Sequence, residues 1–561
     1  MVPQQRAKSL GVGVAAAVVA LAAAALLPVG VTATWLNPAH GARPVDVTAG
    51  VWIFKAAVAV VALLALALRR IPAPVDGVTD HPDRDPRTLA LLAGVIVLAL
   101  ALRLYGVGTE LWLDEILMRT RYIPLDLPQL ISTYDSQNHQ PFYTILARLS
   151  YLSSGGTDWS LRIPAVLFGV AGVASIWFFA RRVTSGAEAI LAALLLAVSY
   201  HHVWFSQNAR GYTTMMFLAV VSSGLFIRLC EGRGDSRRLA WTYGVVMALA
   251  TYTHLTAAFI AVGHALAMLL TTSWSTGNRR RAVWPTIALV LSATMTVALY
   301  ALMLPQVVRQ ITQPTMDGVE VAWTGIGWMA REVIRVLSSG VPGGIFPVAA
   351  ALVILGVGVV SYWRRSRLAT LVMFLPVALT LAAVVASGHN LWPRYFFFAS
   401  GFLVLAALRG GFALVSAVVR WHPERVAIAG ASAVALVSLT TVPAAWQPKQ
   451  QFRAAYEFIE QERRPDDLVV ALDAAAEIYE LRGWAPQWRL TIPVPIDLEQ
   501  LERSAPRTWI VFTLGVRLRA IAPAMYERLS SSRYQLVRVF PATVGNGEIH
   551  VLRHDSTPGN D

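Results

Sequence analysis

The chain has 561 residues, 56% of them hydrophobic and 14% charged, with a formal net charge of +14 at pH 7. That balance excludes a set of soluble domains and points to a polytopic membrane protein. The positive excess lies in short arginine runs between apolar stretches, the pattern of membrane topology and not of a nucleic-acid face, so no nucleic-acid partner is expected.

A span needs about 20 apolar residues, and on that measure about thirteen are predicted. In chain order they fall at 9–30, 50–68, 88–106, 163–180, 187–202, 213–229, 240–254, 256–271, 283–303, 342–362, 368–387, 395–418 and 426–445. The basic residues Arg6/Lys8, Arg69/Arg70, Arg181/Arg182, Arg233/Arg237/Arg238, Arg279–Arg281, Arg364/Arg365/Arg367 and Arg420/Arg425 all fall between spans on one side. By the positive-inside rule that side is cytoplasmic. The segments 107–161, 199–212, 304–341 and 388–394 are then outside. The N-terminus has the form of a signal peptide, and cleavage after Val31-Thr32-Ala33 would leave the later orientation unchanged.

From about Gln447 the composition changes. Segments 467–473, 508–515, 534–541 and 548–553 read as strands, and 450–463, 473–483 and 520–531 as helices. The expected architecture is an all-α polytopic bundle followed by a small extracytoplasmic α/β domain. Residues 1–87 would supply two N-terminal spans and a linker, 88–446 the main bundle with its outer loop 107–161, and 447–561 the α/β domain. That domain has no glycine-rich nucleotide fingerprint, so it is expected to bind an acceptor or act as a scaffold. A single cysteine, Cys230, allows no internal disulfide and no cysteine-rich metal site. Few lysines among many Arg, Ala and Gly residues fit a high-GC bacterial genome and thus a bacterial plasma membrane.

Chemistry-bearing residues gather on the outer face. The acidic pair Asp114-Glu115 follows Trp112 just beyond the span 88–106, where bilayer meets water. Carboxylates held near lipid tend to be functional. In the same loop His139-Gln140-Pro141-Phe142-Tyr143 opens a stretch, 141–152, too short to span and read as an interfacial helix. The turn 199–212 adds His201, His202, Trp204, Asn208, Arg210 and Tyr212, and the turn 388–395 adds His389, Trp392, Arg394 and Tyr395. Sugar transfer from a polyprenyl phosphate needs a base for the acceptor hydroxyl and cations for the departing phosphate. Arginine suits the second task because its fork is bidentate and permanently charged. His201-His202 lacks a third ligand at a matching spacing, so no metal site is assigned, and a divalent cation is the single cofactor left open. His254 and His264, both inside apolar segments, read as structural.

Four segments resemble the GT-C glycosyltransferases, in the branch of the protein O-mannosyltransferases and the lipid A aminoarabinose transferase. They are LWLDE (111–115), HQPFY (139–143) with LRIPAVLFGV (161–170), WFSQNARGYTTMMF (204–217) and RYFFFASGFLVL (394–405). Gln140 stands where that branch has the first proline of HPP, and Asn208 where it has Glu. The resemblance implies a polyprenyl-phosphate sugar donor, mannose or arabinose among the candidates, and an inverting displacement outside the cytoplasm. It also implies Asp114 as the base with Glu115 assisting or orienting. His139 and Tyr143 would line the acceptor or donor pocket, and Arg210, Tyr212 and Arg394 would hold the phosphate beside Tyr395. The acceptor would be a glycan, glycolipid or protein of the cell envelope. A lipid-sugar flippase is the rival from another class, and an inactive glycan-binding relative is the third reading.

Overall fold

The structure is a computed structural model and describes residues 18–36, 47–71, 85–136, 138–272, 276–312, 326–340, 345–389 and 391–556. Arg6, Lys8, the first part of the expected span 9–30 and the start of 342–362 lie outside those residues. Among the described residues, nine helices are long and apolar enough to cross a membrane, and eleven if two bent pairs each count as one span. The bent pairs are Val18–Leu26 with Val29–Leu36, at 89°, and Gly186–Ala197 with Tyr200–Ser206, at 58°. The expected spans 240–254 and 256–271 are helices as well, Ser236–Thr253 and Ala258–Thr271, parted by extended backbone at His254. The first begins with Arg237 and Arg238 and the second has only 14 residues, so length and hydropathy alone do not bring the count to the expected thirteen.

Burial separates the centre of the bundle from its rim. In Tyr212–Glu231, 72% of the apolar window is inside the protein, against 17% in Phe346–Arg365 and Pro423–Ala445. Lipid tails are as apolar as leucine, so helices in a bilayer associate through close packing at small residues. Helices Ile345–Arg365 and Ser400–Val418 meet this way: a Cβ on Gly358 would overlap the Ala406 carbonyl, and one on Gly410 that of Ile354.

The C-terminal part holds a five-stranded sheet of β1 (Leu468–Leu472), β2 (Arg489–Thr491), β3 (Arg507–Phe512), β4 (Gln535–Phe540) and β5 (Ile549–Asp555). Its order is β2-β1-β3-β5-β4, with β2, β1 and β3 parallel and β5 antiparallel to both β3 and β4. The four expected strands are present. β2 and a helix at Leu498–Ser504 are additions, and the expected helix 520–531 is two short ones divided at Ala522-Pro523. Strand side chains alternate between faces. Val470, Leu472, Ile510 and Phe512 pack on the helices that carry Leu498, Leu518 and Met525. Val469, Ala471, Trp509 and Val511 belong to a second core that includes Leu111, Ile116, Met118 and Tyr122 of the 107–161 segment. The domain and the acid-bearing loop therefore share one hydrophobic core and lie on the same side of the bundle.

Candidate active site

Asp114 and Glu115 open a short helix, Leu113–Arg121, at the end where backbone N–H groups point outward and favour negative charge. Successive residues on a helix diverge by about 100°, so the two carboxylates face different surroundings. Glu115 points inward. Arg162 holds it by Nε to Oε1 (2.8 Å) and Nη2 to Oε2 (2.6 Å), Ala209 N–H donates to Oε1 (2.6 Å), and Trp112 N–H to Oε2 (3.2 Å). Both side chains of the pair are fully buried. Burial alone would raise the Glu115 carboxyl, but the Arg162 guanidinium, Lys449 and the Ala209 N–H outweigh it and hold the group below the usual carboxylate range. Arg162 also donates to the carbonyls of Val107, Thr109 and Glu110 and to Thr109 Oγ1. With every oxygen of Glu115 occupied, this residue orients the loop and is not placed to take a proton.

Asp114 faces the other way. Its Oδ2 accepts from Arg394 Nη1 at 3.2 Å, and both side chains keep some solvent exposure, 12% and 24%. Arg394 lies 4.6 Å from the Trp392 ring and within electrostatic reach of Tyr212 and Tyr395. Its Nε has no acceptor among the described residues.

Arg210 sits in the turn between Tyr200–Ser206 and Tyr212–Glu231, which Gly211 lets pass close to the neighbouring helices. A Cβ at Gly211 would collide with Thr253 and Tyr143. Arg210 Nη1 donates to the Asn138 carbonyl (2.7 Å), and its Nε is without an acceptor among the described residues. Both Arg210 and Arg394 act electrostatically on His254 and Tyr395, so the two guanidiniums lie near the same two side chains. The rings of Tyr212 and Tyr395 lie 6.1 Å and 5.2 Å from that of His254.

His139 lies nearby, stacked on Tyr122 at 4.2 Å with Nδ1 on the Thr133 carbonyl (3.0 Å). Burial pushes its pKa down to about 4, so it is neutral near pH 7, and its Nε2 has no partner among the described residues. Tyr143 departs from the expected pocket-lining place. It is fully buried with its hydroxyl on the Leu161 carbonyl (2.8 Å), so it packs the site from behind. Gln140 accepts the Gly211 N–H (2.6 Å) and Asn208 accepts the Trp112 indole N–H (3.0 Å), which leaves each amide nitrogen without an acceptor among the described residues.

Four residues escaped the sequence reading of roles. Arg162 sits in the LRIP run, and its pairing with Glu115 across 47 residues has no local signature. His254 has the structural role expected of it, its Nδ1 accepting the Thr256 N–H (3.3 Å) at the helix break, and it lies beside both arginines as well, which the sequence did not signal. The expected structural role fits His264, fully buried between Ser223 and Tyr243. Lys449 and Gln450 reach the site from beyond the last span. No group of three or more His, Cys, Asp or Glu that could hold a metal ion occurs among the described residues.

The family model described as dolichyl-phosphate-mannose-protein mannosyltransferase matches residues 138–300. The match takes in the HQPFY, LRIPAVLFGV and WFSQNARGYTTMMF segments and meets the resemblance read from them independently. The Asp114-Glu115 and Arg394-Tyr395 segments lie outside it. No curated protein sequence matches the chain. Among solved structures, it is similar to ArnT from Cupriavidus metallidurans in the apo state, at 14% identity over 85% of this chain and 99% of that one, TM-score 0.48. The same protein bound to undecaprenyl phosphate gives 13% identity over 85% and 100%, TM-score 0.49. The Archaeoglobus fulgidus oligosaccharyltransferase in the apo form gives 13% over 79% and 73%, TM-score 0.47.

Proposed function

We propose that the chain transfers a sugar from a polyprenyl-phosphate donor to an acceptor hydroxyl, in a single inverting displacement at the membrane face that bears the 107–161 segment. The acceptor oxygen attacks the anomeric carbon, Asp114 takes its proton, and the bond from that carbon to the phosphate oxygen breaks. Charge developing on the phosphate falls to Arg394 and Arg210, whose Nε–H groups have no acceptor among the described residues and suit a bidentate grip on its oxygens. The donor phosphate competes with Asp114 for Arg394, and binding thereby frees the carboxylate to act as a base. His254, Tyr212 and Tyr395 line the space between the arginines, and neutral His139 borders it. Glu115 keeps the loop in place through Arg162.

The observation that carries this reading is the 3.2 Å contact between Asp114 and Arg394, which joins the candidate base to a candidate phosphate ligand across 280 residues. The matched family description, for dolichyl-phosphate-mannose-protein mannosyltransferase, supports the donor class. The donor sugar is a hexose or pentose, mannose and arabinose being the first to try, and the acceptor is a glycan, glycolipid or protein of the cell envelope. The test uses vesicles from a host lacking the protein, complemented with wild type or Asp114→Asn and supplied with labelled polyprenyl-phosphate sugars. Transfer from one donor, abolished by the substitution, is the expected result. Label that crosses the membrane without being transferred would replace this reading with a flippase.

A further inference from the structure

The linker between the last apolar helix and the sheet domain carries two consecutive buried polar residues, Lys449 and Gln450, each 1% exposed. Gln450 Oε1 accepts the Leu113 N–H at 3.0 Å, while its Nε2 donates to Thr513 Oγ1 (3.2 Å) and to the Gly547 carbonyl (3.0 Å). Lys449 Nζ donates to the Gln207 carbonyl at 2.7 Å and lies 5.0 Å from the Trp204 ring. Thr543 closes this cluster, its N–H on the Lys449 carbonyl (3.1 Å) and its hydroxyl receiving the Trp204 indole N–H (2.8 Å).

These contacts fall on functional ground. Leu113 is the first residue of the helix whose second residue is Asp114, and the leading N–H groups of a helix have no partner of their own. A Ser, Thr, Asp or Asn before a helix caps the N–H groups of the second and third helical residues and leaves that of the first to find its acceptor elsewhere. Trp112, in that position, gives no side-chain cap at all. Gln450 supplies the acceptor for the Leu113 N–H, from 337 residues away. Lys449 secures the other side of the site through the carbonyl of Gln207, which stands one residue before Asn208 and three before Arg210.

We propose that Lys449 and Gln450 are positioning residues of the transfer reaction, and that the C-terminal domain serves to hold Asp114 and Arg210 in mutual register. This rests on the transferase reading above. It assigns the domain a scaffolding role in place of acceptor binding. Because the two grips come from adjacent residues of one linker, a shift of the domain moves the acid and the arginine together.

The test compares the full-length protein with Gln450→Met, Gln450→Glu and Lys449→Met, by transfer kinetics and by hydrogen exchange. Gln450→Met should lower kcat by about tenfold or more, since misplacement by about 1 Å costs that much or beyond. KM for the polyprenyl donor should stay within about twofold, because no group touching the donor has been removed. Amide exchange should quicken over 113–116 while β1 and β3 keep wild-type protection. Gln450→Glu keeps an acceptor for Leu113 N–H and, when protonated, a donor for the Gly547 carbonyl, so it should recover part of both losses as pH falls, and Lys449→Met should quicken exchange over 207–211. Wild-type kcat in Gln450→Met, or exchange that quickens evenly through β1 and β3, overturns the proposal. If the wild type transfers no sugar, the transferase reading falls, while exchange over 113–116 still decides whether Gln450 caps the helix.

Discussion

Asp114 and Glu115 are neighbours with the same charge, yet one belongs to an open pair and the other to a sealed knot. Glu115 and Arg162 are fully buried, and the carboxylate accepts four hydrogen bonds of 2.6–3.2 Å. Asp114 has one contact to Arg394 at 3.2 Å and remains part-exposed. A buried ion pair tolerates no loss of a partner, because the remaining charge is stranded away from water. An open pair costs little to break, so its arginine can be lent to an incoming phosphate. Two adjacent carboxylates on one helix turn can thus serve apart, one sealed in hydrogen bonds that fix the backbone and the other left part-exposed beside an arginine.

The largest expected effect is on the knot. Arg162→Met should destabilise the protein by about 3–5 kcal/mol by stranding Glu115, read as a fall in thermal unfolding temperature in detergent. An unchanged unfolding temperature would remove the distinction between the two pairs. Asp114→Asn should do the converse, cutting transfer by about 10²–10⁴-fold, the range for loss of a general base. Its unfolding temperature should stay near wild type, since the amide oxygen of asparagine can still accept from Arg394 at the same place. Arg394→Lys retains the charge but not the fork, and an intermediate loss of about tenfold in kcat/KM for the donor is expected. Transfer at the wild-type rate in that variant would mean that Arg394 does not grip the phosphate.

The smallest effect concerns pH. Burial, with Arg162 adding to it and Glu115 opposing, pushes the Lys449 ammonium from about 10.5 down to about 7. Between those values the unfolded chain holds a proton that the folded protein has released, so this residue's contribution to stability rises with pH across that window. Below pH 7 both states are protonated and the cost of burying the charge is paid in full. Lys449→Met should therefore flatten the rise in unfolding temperature between pH 7 and pH 9. A slope identical to that of wild type would show that Lys449 does not titrate there.

The class of the protein, most of its helices, the four expected strands of the tail and the segments that hold most of the candidate site residues were all legible along the chain. Those features are written locally, in apolar runs of bilayer length, in alternating side chains and in charges at the ends of spans. The sequence also placed Asp114 among the candidates, as a carboxylate near Trp112 at the end of an apolar stretch, and Arg394 through its outer turn and the RYFFFASGFLVL resemblance. Which carboxylate of the pair is sealed, that Tyr143 packs behind the site, that His254 borders it and that Gln450 caps the acidic helix were decided only by the tertiary structure. The contacts concerned join residues 47, 280 and 337 positions apart. Whether a polar group is structural or free for chemistry depends on the partners that folding brings to it and on the water it excludes, and neither has a period or a motif along the chain.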